Sequence, residues 1–290
     1  MSHRVLITGI TGFLGSHLAQ HFVKQGNEVT GVIRQQSDLI RLRRLEKQIR
    51  LIDSSQLLDP HDIRIDTVIH TACHYGKKKN TLREVLEANI LLGLDVVEFA
   101  TKAGATSFIN THTALPRNLN DYSLSKHQFK DWLDHCSKDM QVVHMRIEHM
   151  YGQGDGDQKF ISWLINTLLH AKGSVELTDG TQQRDFIHIE DVVAAYQTVL
   201  SRLNTIGSWH ELDVGSGNLI TIKDLVLMVC DIIEECTGIQ HKGRLMFGKI
   251  PYRSQELMTP ELDYQRLLAL GWQAHIPLKQ GLTSIIRSSI

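Results

Sequence analysis

Thr8-Gly9-Ile10-Thr11-Gly12-Phe13-Leu14-Gly15 is the stretch that sets the fold. The apolar run Val5-Leu6-Ile7 precedes it and an amphipathic segment over 13–24 follows, so the glycines sit in a strand-to-helix turn. Gly9 permits the tight turn, Gly12 lets the backbone approach a pyrophosphate, and Gly15 lets helix and strand pack closely. The helix N-terminus then faces the negative charge. Spacing alone is weak, but the first strand-to-helix turn is the context a dinucleotide site requires. Thr11, Phe13 and Leu14 are placed with the three glycines as cofactor contacts.

Working outward, short apolar runs recur at 28–33, 49–52, 67–69, 107–110 and 142–147. Helical patterns lie between them, notably over 81–101 and 122–137. This alternation predicts an α/β fold, a Rossmann-type doubly wound parallel sheet covered on both faces. The glycine-rich stretch Tyr151-Gly152-Gln153-Gly154-Asp155-Gly156 marks the expected lobe boundary. Residues 1–150 are assigned to the nucleotide-binding domain, with part of 181–205 returning to it. Residues 151–290, with helices over 191–200 and 221–236, are assigned mainly to a smaller substrate-binding lobe.

The composition excludes several classes. The 31 Lys and Arg nearly balance the 32 Asp and Glu, so no global field favours nucleic acid or an acidic membrane surface. No run of eighteen apolar residues occurs, and no leader is read at the N-terminus. Cys73, Cys136, Cys230 and Cys236 form no C-x-x-C pair and read as reduced thiols of a cytoplasmic protein. The 16 histidines show no metal-ligand spacing, and no metal site is expected.

The second strand's end should choose between NAD and NADP. An NAD site places Asp or Glu there to accept from the ribose 2′-hydroxyl. Here Ile33 is followed by Arg34, whose guanidinium suits the 2′-phosphate of NADP, although a solvated loop arginine has the same sequence. Asp53, followed by Ser54, ends the third strand, where its carboxylate either meets the adenine or caps a helix.

Tyr122-Ser123-Leu124-Ser125-Lys126 places Tyr122 and Lys126 on one helical face, about 6 Å apart along the axis. A phenol titrates near ~10, so acid–base work near neutrality needs its charged form stabilised by about 4 kcal/mol. Lys126 and an oxidised nicotinamide are the expected source.

Together these residues resemble the extended short-chain dehydrogenase/reductase family, in its nucleotide-sugar branch, over nearly the whole chain. The resemblance implies that Thr71 and Ala72, in Val68-Ile69-His70-Thr71-Ala72, line the cofactor, and that Asn89 is the asparagine of the following helix. Arg146-Ile147-Glu148-His149-Met150-Tyr151-Gly152 and Arg184-Asp185-Phe186-Ile187-His188-Ile189-Glu190-Asp191 match two later signatures. They imply that His149 contacts the sugar and that Arg184 and Arg253 hold a diphosphate, unless each arginine makes an ordinary salt bridge. The third catalytic residue is expected at Thr113, with Thr111 as the alternative. Only eight residues separate Thr113 from Tyr122, and the family's V-Y-G after it is missing.

Ala114 and Leu115 stand where the 4,6-dehydratases of this family carry an Asp-Glu pair, and neither moves a proton. A 4-epimerase that retains NAD and a 4-ketoreductase that consumes NADPH remain, and Arg34 leans to the second. The stretches Ile69–Lys77 and Met145–Gly156, with Lys159-Phe160-Ile161, resemble the CDP-abequose/CDP-paratose synthase-like 4-ketoreductases of bacterial deoxysugar and O-antigen biosynthesis. His74, Tyr75, Lys159 and Phe160 are placed in the sugar pocket on that basis, with CDP or dTDP expected and the base left open among CDP, dTDP, GDP and UDP. A non-catalytic NADP-sensing protein is the other class, and it would typically lack the Tyr or Lys. Leu91, Leu94, Trp132 and Leu133 on the two long helices are expected to pair a homodimer.

Overall fold

A computed structural model describes residues 2–58, 63–76, 80–137, 139–207 and 211–290. Lys77, the last residue of one motif above, lies outside them. In chain order the first half runs β1 (Arg4–Thr8), α1 (Phe13–Lys24), β2 (Glu28–Ile33), β3 (Ile49–Asp53), β4 (Thr67–His70), α2 (Leu82–Leu86), α3 (Leu92–Lys102), β5 (Ser107–Thr113), α4 (Asp121–Cys136) and β6 (Gln141–Ile147). The second half runs β7 (His149–Tyr151), α5 (Phe160–His170), β8 (Val175–Glu176), β9 (Gln183–His188), α6 (Ile189–Ile206), β10 (Glu211–Val214), β11 (Leu219–Thr221), α7 (Ile222–Thr237), β12 (Leu245–Met246), α8 (Gln265–Ala269) and α9 (Leu278–Ser289).

Seven strands form one sheet in the order β10-β6-β5-β4-β1-β2-β3. Every pairing within it is parallel. This is the doubly wound sheet that the alternation of strands and helices predicts. Its switch point lies between β1 and β4, so the turn after β1 and the loop after β4 flank the crevice where such folds bind ligands. Alternate strand residues feed two cores. Val5, Ile7, Ile69, Ile109 and Val143 face α1 and α6, whereas Leu6, Val68, Phe108 and Val142 face α3 and α4. Fully buried Phe22, Phe99, Phe108 and Phe129 each contribute roughly 1.5–3 kcal/mol through apolar burial.

A third core joins α5, α7 and α9 beneath the small sheet β11-β9-β7. α6 packs on α1, and β10 adds to the large sheet as its edge. The chain therefore returns to the first lobe through Val214, further than the expected 181–205. Among the described residues no helix is long and apolar enough to cross a membrane.

Two departures bear on the site. The helix expected over 81–101 is interrupted by a π-helical turn at Glu87–Leu91. That wider turn brings Asn89 inward, where its amide has partners on two other segments. The strand expected to end at Asn110 continues to Thr113, which pairs in register with Ile147. Thr111 and Thr113 thus stand on a rigid strand instead of a loop. On the expected dimer face, Leu91 and Trp132 are 53% and 50% exposed, but Leu133 is fully buried in its own core. It has to be removed from that face.

Candidate active site

The glycine turn has the shape its sequence implies. Gly9 lies at φ +65°, and a Cβ there would sit 2.7 Å from the Ala72 backbone nitrogen. A Cβ on Gly15 would lie 2.2 Å from the Gly9 carbonyl oxygen, so any side chain would push helix from strand. Gly12 donates from its backbone to the Gly9 carbonyl at 2.9 Å, and among the described residues beyond its chain neighbours only that oxygen comes within 4 Å of an added Cβ. The backbone at Gly12 is therefore open to a diphosphate. Thr11 and Phe13 are partly exposed in the turn, whereas Leu14 is 4% exposed and belongs to the core. Leu14 can offer a ligand only its backbone.

The loop after β4 closes on this turn. The Thr71 hydroxyl donates to the Thr8 carbonyl at 2.7 Å, and the Ala72 backbone donates to the Thr8 hydroxyl at 3.3 Å. Asn89 grips the next residue from both sides. Its Oδ1 accepts from the His74 backbone at 2.6 Å, and its Nδ2 donates to the His74 carbonyl and to Ser125 Oγ, each at 2.9 Å. Asn89 is fully buried, so it can reach a ligand only through the loop it holds. His74 Nδ1 accepts from the Gly76 backbone at 3.2 Å, which leaves Tyr75 to project between them.

A capping box starts α4: Asn120 Oδ1 accepts from the Ser123 backbone at 2.8 Å, and Ser123 Oγ accepts from the Asn120 backbone at 3.1 Å. Tyr122 and Lys126 follow on the first turns. The Thr113 hydroxyl lies close enough to the Tyr122 phenol to favour its anion, while the Thr111 hydroxyl bonds the buried Tyr196 phenol at 2.6 Å. Leu115 folds back over Thr113, its backbone donating to Thr113 Oγ1 at 3.2 Å.

Burial and the nearby Cys73 thiol raise the Tyr122 phenol above its ordinary value, and the Thr113 hydroxyl only partly opposes them. The lowering expected from Lys126 is therefore not the balance in the chain by itself, because desolvation of the anion dominates. A phenol held up in this way stays protonated, the state a proton donor needs. Lys126 is 1% exposed, and burial lowers its ammonium. No hydrogen bond or ion pair holds it among the described residues, so a ribose hydroxyl brought beside it would meet a donor.

The remaining predicted residues divide. Tyr75 packs on Tyr122, and Lys159, the N-cap of α5, places its ammonium 3.9 Å from the centre of the Tyr75 ring. Phe160 begins α5, with its ring 5.9 Å from Trp163. His149 Nδ1 pairs with the Glu148 carboxylate at 2.8 Å. Arg184 is held by Glu256 and donates to the Gln183 and Leu257 carbonyls at 2.6 Å each. In this state Arg184 makes the salt bridge that its sequence also allowed, and a diphosphate there would have to displace Glu256. Arg253 is exposed nearby. Arg34 is exposed, and its guanidinium has no partner among the described residues. Asp53 caps the turn that contains Ser54, accepting from the Ser55 backbone at 3.0 Å and from its hydroxyl at 2.7 Å.

Sequence reasoning missed Cys73, whose thiol lies close enough to bear on Tyr75, Tyr122 and Lys126 alike. It also missed Arg41, which reaches across to donate to the Gly154 carbonyl at 2.6 Å. Position next to Ala72 was a signal for the first; nothing local marked the second.

A glycine turn at the switch point of a parallel sheet, with Tyr122 and the buried Lys126 one turn apart on α4, fits a Rossmann-type enzyme of the oxidoreductase, epimerase and dehydratase class. The chain belongs to the NAD dependent epimerase/dehydratase family, whose pattern its residues 5–215 match. It is 31% identical over 300 residues to the CDP-abequose synthase of Salmonella typhimurium strain LT2, covering 98% of this chain and 97% of that protein. It is 27% identical over 329 residues to the dTDP-4-dehydro-6-deoxy-D-allose reductase of Streptomyces bikiniensis, covering 98% and 95%. Among solved structures it is similar to MoeE5 in complex with UDP-glucose and NAD, with a TM-score of 0.80, 26% identity and coverage of 99% and 98%.

Proposed function

We propose that the chain is an NADPH-dependent 4-ketoreductase of a nucleotide-activated 4-keto-6-deoxy- or 3,6-dideoxyhexose, linked to CDP or dTDP. The observation that carries this reading is the Tyr122 phenol, kept protonated by burial and packed against Tyr75, with Ala114 and Leu115 following Thr113 at the end of β5. Such a site can give one proton to a carbonyl oxygen, but it has no acid–base pair for elimination next door. The similarity to a CDP-abequose synthase and to a dTDP-4-keto-sugar reductase supports the same class.

The open backbone at Gly12 and the unpaired ammonium of Lys126 fit a dinucleotide. Gly9, Gly12 and Gly15 would hold its pyrophosphate, Lys126 its nicotinamide ribose, and Arg34 its 2′-phosphate. When bound, the reduced nicotinamide supplies the hydride. Tyr122 protonates the forming alkoxide, and Thr113 hydrogen-bonds the same oxygen. Lys126 stabilises the phenolate left behind. His74, Tyr75, His149, Lys159 and Phe160 would border the sugar, with Arg184 and Arg253 towards the diphosphate. The exposed pair Leu91 and Trp132 is assigned to a homodimer interface; a monomer by light scattering at micromolar protein would contradict that.

A panel of CDP-, dTDP-, GDP- and UDP-linked 4-keto-deoxyhexoses tests the reading, with NADPH or NADH and analysis of the C4 product. Stoichiometric oxidation of NADPH with a CDP- or dTDP-linked substrate is expected. Interconversion of C4 epimers without net consumption would make the enzyme a 4-epimerase instead, the reading favoured by its likeness to an NAD-bound structure.

A further inference from the structure

Eight residues join β7 to α5, Gly152-Gln153-Gly154-Asp155-Gly156-Asp157-Gln158-Lys159, and the chemistry above uses only the last of them. Three contacts fix where they run. At Gly152 an added Cβ would lie 2.5 Å from Ile189 and 3.3 Å from Phe13, the first residue of α1. Arg41, in the connection between β2 and β3, donates to the Gly154 carbonyl at 2.6 Å. The Lys159 ammonium stands 3.9 Å from the centre of the Tyr75 ring, in the loop after β4. The segment therefore touches both flanks of the switch-point crevice, the turn after β1 and the loop after β4, and lies across it as a strap.

Three of the eight residues are glycine, and Gly154 sits at φ +82°. Among the described residues beyond their chain neighbours, nothing comes within 4 Å of a Cβ added at Gly154 or Gly156. The middle of the strap is thus unpacked and conformationally permissive, while Gly152 is its tightly packed end. Arg41 is exposed, and Gly154 is the one hydrogen-bond partner of its guanidinium among the described residues. Between the two anchors, Asp155 has Lys159, Arg41 and His17 close enough to favour its carboxylate against burial. A hydrogen bond between exposed groups adds little to folding. What this one does is join the β2–β3 connection to the strap on the outer side of the crevice.

We propose that Arg41 retains the dinucleotide by latching this strap over it, and that the latch opens each time the nucleotide is exchanged. The inference rests on the ketoreductase reading. A reductase releases oxidised nucleotide and takes up reduced nucleotide in every turnover, whereas an epimerase keeps the one it has. Opening and release steps of this kind, and not the chemistry, set the rate of many enzymes. Arg41 is a positioning residue on this account, because it acts through the Gly154 carbonyl. A latch does not read the 2′-phosphate, so it holds NADPH and NADH alike, unlike the contact assigned to Arg34.

The test is nucleotide release from the binary complex, with no sugar present. Enzyme loaded with NADPH or NADH is mixed with a large excess of NADP, and the loss of bound nicotinamide fluorescence is followed. Arg41→Ala should release both reduced nucleotides about three- to tenfold faster, the contribution of one hydrogen bond. Arg41→Lys keeps a donor and should lie nearer to wild type. Gly156→Ala should act in the opposite sense, because its φ is not positive and its methyl meets open space. The stiffer chain should slow release by about two- to fivefold. A merely structural defect would not move the two variants in opposite directions. Release from Arg41→Ala at the wild-type rate would overturn the latch. Faster release of NADPH alone would also overturn it, by making Arg41 a 2′-phosphate contact, and so would faster release from Gly156→Ala. Net NADPH consumption is read separately in the substrate panel, so the latch and the reductase reading can fail independently.

Discussion

Tyr75 packs its ring against that of Tyr122, with centroids 4.8 Å apart and planes inclined by 33°. Lys159, 3.9 Å from the centre of the Tyr75 ring, ties the same contact to the start of α5. The loop after β4 and the start of α5 thus meet on Tyr122. The neighbouring Cys73 thiol and burial both raise the Tyr75 phenol, so it stays neutral.

Tyr75→Ala should therefore raise the KM for the sugar nucleotide and leave NADPH affinity nearly unchanged. Loss of a stacking and cation–π surface is worth about 1–2 kcal/mol, or roughly 5–30-fold. Steady-state kinetics with each substrate varied in turn separates the two. A weakened NADPH with an unchanged sugar KM would put Tyr75 on the cofactor side.

Arg34 follows β2 with no side-chain partner among the described residues, so its removal should cost the fold little. Arg34→Ala should weaken NADPH by about 1.5–3 kcal/mol, the range for a charged hydrogen bond, and leave NADH little changed. Titration of both nucleotides checks this. A wild type that prefers NADH would sink the assignment.

The two threonines of β5 should respond differently. Thr113→Val removes the hydroxyl beside the Tyr122 phenol and should lower kcat, though less than loss of the phenol itself. Thr111→Val leaves the buried Tyr196 hydroxyl unpaired and should lower thermal stability by about 1–3 kcal/mol. If Thr111→Val has the larger kinetic effect, the third catalytic residue moves two positions back along the strand.

The fold was legible because its signals are local. The glycine turn lies in one strand-to-helix connection, and the first helix falls on the expected Phe13–Lys24. The partners of the catalytic pair were less legible, since they come from distant segments. Asn89 reaches His74 only because the helix widens by a π turn, and no residue spacing announces that. His70, Asn110 and His144 come together because strands whose paired residues stand 40 and 34 positions apart in sequence lie side by side; only the i, i+2 spacing of Asn110 and His112 hinted at a shared face. Arg184 showed the opposite limit. Its chemistry fits a diphosphate or a carboxylate equally, and in this state Glu256 occupies it.

The most direct test of the account is the turnover of Tyr122→Phe, measured as NADPH oxidation with a CDP- or dTDP-linked 4-keto-deoxyhexose. The substitution removes one oxygen and keeps the ring, so the Tyr75 contact and nucleotide affinity should survive. Turnover should fall by about 10²–10⁴, the usual share of a positioned general acid. A Tyr122→Phe enzyme with wild-type turnover would contradict the account and move the proton donor elsewhere.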